Sequence, residues 1–96
     1  MARYVLLLNW TDQGVRAAKD TVQRAAAATQ AFEKIGAKIH ETYWTLGNYD
    51  LVMLAEAADD ETIAALGVQV GMLGNVRTTI LRAFDEREME RILKKV

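Results

Sequence analysis

The 96-residue sequence has no cysteine, no proline and no serine, and its only histidine is His40. Without cysteine there is no disulfide, no thiolate metal site and no thiol nucleophile. Without serine the hydroxyl nucleophile of a serine hydrolase is excluded as well. With one imidazole, a zinc site would have to take its remaining ligands from carboxylates. The charges balance: 12 Lys and Arg against 13 Asp and Glu leave a formal net charge of −1. No broad positive field is present to gather nucleic acid or an anionic membrane surface, and neither is expected as a partner. The apolar run near the start, Tyr4 to Leu8, is too short for the hydrophobic region of a signal peptide or for a membrane span, so a cytoplasmic location is the default expectation. Gly47-Asn48 and Gly74-Asn75 lack the spacing of phosphate-cradling loops, and no cofactor is expected.

What is present is a pattern of short, well-punctuated elements. A composition of 51% hydrophobic and 26% charged residues fits one compact domain across residues 1–96. Tyr4 to Leu8 is apolar at every position, which in a strand means that neither face meets water. Val15 to Lys19 follows as a short helical turn. From Asp20 or Thr21 to Ile35, apolar residues at Val22, Ala25, Ala26, Thr29, Phe32 and Ile35 recur at helical spacing, and Gly36 stands where a helix would end. Lys38–Leu46 and Tyr49–Ala57 flank Gly47-Asn48 and form a β-hairpin. Asp59-Asp60-Glu61 supplies a cap and first-turn negative charge for a helix carrying Ile63, Leu66, Val70 and Leu73. Gly67 and Gly71 within it suggest a close neighbour on that side. Asn75–Phe84 returns as a strand, and the Asp-x-x-Glu spacing of Asp85 and Glu88 starts a charged terminal helix.

This order, β-α-β-β-α-β plus a helix, predicts an α+β, ferredoxin-like fold: a four-stranded antiparallel sheet with both main helices on one face. The other face would carry aliphatic residues without cover, and large exposed apolar patches mark interfaces. A homodimer or higher oligomer follows, with facing sheets enclosing a cavity. On alternation, His40, Thr42 and Trp44 share a face of the hairpin's first arm. A three-residue turn, Gly47 to Tyr49, would place Asp50, Val52, Leu54 and Glu56 beside them, whereas a two-residue turn would bring Tyr49, Leu51 and Met53 instead. The first register gathers the polar groups, giving a candidate site of Asn9, His40, Thr42, Trp44, Asp50, Glu56, Arg77 and Thr79, with Tyr49 joining in the second. His40 is the candidate acid or base, Arg77 the candidate anion anchor, and Asp50 is equally suited to holding turn amides.

The segments Leu8–Gly14, Tyr43–Asp50, Glu56–Asp60 and Gly74–Thr79 with Leu81–Phe84 resemble those of the small bacterial GYD-domain proteins, with Gly47, Tyr49 and Asp50 as the eponymous residues. That resemblance implies the dimeric α/β-barrel group and carries no established activity with it. The wider group includes cofactor-free monooxygenases, muconolactone-isomerase-like enzymes, haem proteins and effector-sensing domains, so fold alone sets only the alternatives. Three functions stand open from the sequence: a homo-oligomeric module holding a small organic ligand between sheets, a cofactor-independent enzyme using His40, and an association module with neither ligand nor chemistry.

Overall fold

A computed structural model describes all 96 residues. Its strands are β1 (Ala2–Trp10), β2 (Ala37–Trp44), β3 (Leu51–Ala57) and β4 (Val76–Ala83). Its helices are α1 (Asp12–Arg16), α2 (Thr21–Lys34), α3 (Asp60–Met72) and α4 (Glu86–Leu93), with a 3-10 turn at Ala18–Asp20. The strands pair in the order β2-β3-β1-β4, all antiparallel, which is the ferredoxin-like arrangement the sequence order predicts.

β1 and β3 lie in the middle and are apolar on both sides. Tyr4, Leu6 and Leu8 of β1 and Leu51, Met53, Ala55 and Ala57 of β3 face the helices and are buried. Phe32 from α2 and Ile63 and Leu66 from α3 close over them. The intervening residues Val5, Leu7, Val52 and Leu54 point to the bare side of the sheet and stay half-buried. Asp59 caps α3 by accepting the backbone N–H of Thr62 at 2.9 Å, and Asp85 and Glu88 form the reciprocal capping box of α4.

Three expectations change. The face of α2 is rotated from the expected stripe: Phe32, Ala25 and Ala28 pack inward while Val22 is 61% exposed. A run of alanines presents the same small methyl all round, so only Phe32 fixes the helix phase. Of the two α3 glycines, a Cβ on Gly67 would meet Ile80 at 3.0 Å, but one on Gly71 would meet nothing within 4 Å. The hairpin arms are also shorter and their connection longer than expected, because residues 45–50 leave the ladder.

Candidate functional site

The β2–β3 connection opens with Trp44 opposite Leu51. Across it Thr45 N–H donates to the Asp50 carbonyl at 2.9 Å, and Thr45 Oγ1 donates to the Tyr49 carbonyl at 2.5 Å. Gly47 sits at φ 115°, where a side chain is strained, so glycine is needed at the apex. Asp50 is drawn out of the hairpin by β1: its N–H donates to the Leu8 carbonyl and its carboxylate accepts the Trp10 N–H, both at 2.9 Å. Asp50 therefore holds an amide forty residues away rather than amides of its own turn.

Pairing runs Trp44↔Leu51, Thr42↔Met53 and Glu41↔Leu54, then shifts to Ile39↔Ala55. The side of the sheet reached by Thr42 and Trp44 is thus that of the two-residue turn, and the favoured three-residue register is corrected. Leu51 and Met53 must face the helices, and the six-residue connection delivers Trp44 and Thr42 opposite them. His40 is the extra residue of a β-bulge, which breaks alternation and returns it to the bare face. There its Nε2 lies 3.4 Å from Glu56 Oε1. Arg3 Nε approaches the same oxygen at 3.4 Å, and Arg3 Nη1 reaches Asp85 at 3.2 Å. Hydrogen bonding from His40 is the main reason the Glu56 carboxyl is held below its ordinary value, against an opposing effect of burial.

Taken across the strands, the bare face reads as four rows. Ala83–Arg3–Glu56–Lys38 is charged; Leu81–Val5–Leu54–Glu41 and Thr79–Leu7–Val52–Tyr43 are largely apolar; Arg77–Asn9 is polar again. Asn9, His40, Glu56, Arg77 and Thr79 of the expected set therefore do share a face. They do not form one constellation. Glu56 pairs with Arg3 and Arg77 with Asn9, six residues further along β1, a separation of roughly 20 Å at strand rise. Arg77 is exposed and takes part in none of the chain's ion pairs. Thr42 lies on the helix side, as does Trp44, whose indole N–H donates to Thr21 Oγ1 at 3.0 Å. Tyr49 stays in the connection.

A partly open cavity lies on the other side of the sheet, between α2, α3 and the covered strands, with a volume of about 320 Å³. Its floor includes Leu6, Met53 and Thr78, and its roof is the alanine face of α2. Thr78 Oγ1 is fully buried without a hydrogen-bond partner. Sequence reasoning passed over Thr78. The available signal was a lone hydroxyl between Val76 and Ile80 on a core-facing strand edge.

A four-stranded sheet with two helices on one face and a bare, zoned opposite face defines a ferredoxin-like α+β domain. The sequence model of the GYD domain family matches residues 4–93, and the chain belongs to that family. It is 28% identical over 95 residues to the Glutamine synthetase and cystathionine beta-lyase binding protein of Thermus thermophilus, a match spanning 98% of this chain and 100% of that protein. A crystal structure of a Thermus thermophilus protein, 26% identical, superposes with a TM-score of 0.58 over 88% of this chain and 95% of the other.

Proposed function

We propose that the chain is a non-catalytic association module: two copies pair through their bare sheet faces, and the pair docks on a larger protein. The observation that carries this reading is the zoning of the bare face. Two largely apolar cross-strand rows, centred on Val5, Leu7, Val52 and Leu54, are bounded on each side by a polar row. An apolar centre inside a polar rim is the anatomy of a protein interface, and two sheets packed face to face interdigitate such side chains across about 10 Å. The name of the Thermus thermophilus relative supports a protein as the onward partner. Acid–base chemistry would need His40 and Arg77 at one substrate, and the roughly 20 Å between their rows favours binding over catalysis.

Sedimentation velocity tests the reading, on the chain alone and mixed with purified glutamine synthetase or cystathionine β-lyase. The expected result is a dimer that co-sediments with at least one of the two enzymes. Val52→Lys, which places a charge in the apolar centre while leaving the helix-covered core untouched, should give a folded monomer. A wild-type monomer that ignores both enzymes would remove the proposal.

A further inference from the structure

The cavity under the helices has features that the association role does not use. Protein interiors seldom leave voids larger than a water molecule. Here α2 turns Ala25, Ala28 and Ala31 toward the sheet, where longer side chains would fill the space. The resulting volume of about 320 Å³ falls in the range of small-molecule pockets, about 300–1,000 Å³. Four polar residues interrupt its apolar wall: Thr21, Arg24, Asn75 and Thr78. Thr78 Oγ1 has no accessible surface of its own, and Thr21 Oγ1 already accepts the Trp44 indole N–H. Arg24 carries the one charge among them. Its guanidinium donates to the Ala17 carbonyl at 2.6 Å and the Gly14 carbonyl at 3.3 Å, but none of the chain's ion pairs neutralises it.

We propose that this cavity binds a small amphiphilic carboxylic acid. The apolar body, of the size of one aromatic ring or a short acyl chain, lies between the alanine face of α2 and the strand floor. The carboxylate meets Arg24, whose planar donor fork suits it. The site lies on the side of the sheet opposite the association face, so it stands independently of the pairing proposed above.

Phenylacetate and hexanoate are the probes, titrated into the whole protein and followed by amide NMR shifts and calorimetry, with neutral phenylacetamide as the control. Saturable binding of at least one acid is expected, with shifts at Arg24, Ala28 and Thr78. Arg24→Gln should weaken it by about tenfold, the equivalent of one charge-assisted hydrogen bond. Ala28→Phe, or Ala31→Leu should the larger ring prevent folding, fills the space and should abolish binding while circular dichroism stays native. Absence of saturable binding up to millimolar acid would overturn the proposal. So would binding indifferent to the filled cavity, or phenylacetamide binding as tightly as phenylacetate.

Discussion

The carboxylate of Asp50 accepts the backbone N–H of Trp10 at 2.9 Å, joining the hairpin connection to the last residue of the central strand. A half-buried amide that loses such an acceptor must find water or go unpaired. Hydrogen bonds to charged groups contribute about 1.5–3 kcal/mol. Asp50→Ala is therefore expected to lower the unfolding free energy by roughly 1–3 kcal/mol in urea titrations. Asp50→Asn, which keeps an acceptor oxygen, should cost less. Equal losses for the two substitutions would mean that the contact with Trp10 is not what Asp50 supplies.

Gly14 approaches the α3–β4 connection more closely than any side chain permits: a Cβ there would stand 1.9 Å from the Asn75 carbonyl oxygen. The approach is locked by Thr11, whose N–H donates to the Asn75 carbonyl at 3.1 Å and whose hydroxyl donates to the Gly74 carbonyl at 2.5 Å. The contact is with backbone, so no flexible side chain can yield. Gly14→Ala should destabilise by about 2 kcal/mol or more, toward the upper end of overpacking effects, visible as a lowered melting temperature. An unchanged melting temperature would show that α1 moves freely against that connection.

Tyr4 is buried, and its hydroxyl donates to Asp60 Oδ1 at 2.6 Å. Burial first, and then this hydrogen bond, push its pKa from 10.0 up to about 12. Because the folded chain holds this proton more tightly than the unfolded one, its contribution to stability is complete below pH 10. It is lost as pH rises from there toward 12. Denaturant unfolding measured across that window should show a falling stability whose slope is reduced in Tyr4→Phe. Identical slopes for the two proteins would place the Tyr4 proton outside the folding equilibrium.

Much of this architecture is written locally. Two-sided apolar strands at β1 and β3, an aspartate before α3 and the Asp85–Glu88 pair before α4 each name their element because one short-range interaction decides it. The parts that escape are those decided at a distance. Alternation along Ala37–Trp44 cannot reveal a bulge, so His40 and Thr42, two apart, end on opposite faces of the sheet. The turn glycine was legible, but the length of the connection depends on the Asp50 contact with Trp10, which no local pattern encodes. Thr78 reads as an ordinary strand threonine until the alanine face of α2 is laid over it. The alanines were visible; the space they leave required the sheet.

The bulge at His40 has a bearing on how copies of this chain can meet. β2 is an outer strand, and an outer strand with a regular ladder is a template on which a neighbour's strand can add without limit. The extra residue interrupts that ladder midway, flanked by the charges of Lys38 and Glu41, so an incoming strand finds its register broken after a few bonds. Growth along this rim is disfavoured, whereas the broad side of the sheet is left open to contact. Under the proposed pairing, a contact made there by two identical sheets about a two-fold axis would be satisfied once and then closed, a finite pair instead of a fibre.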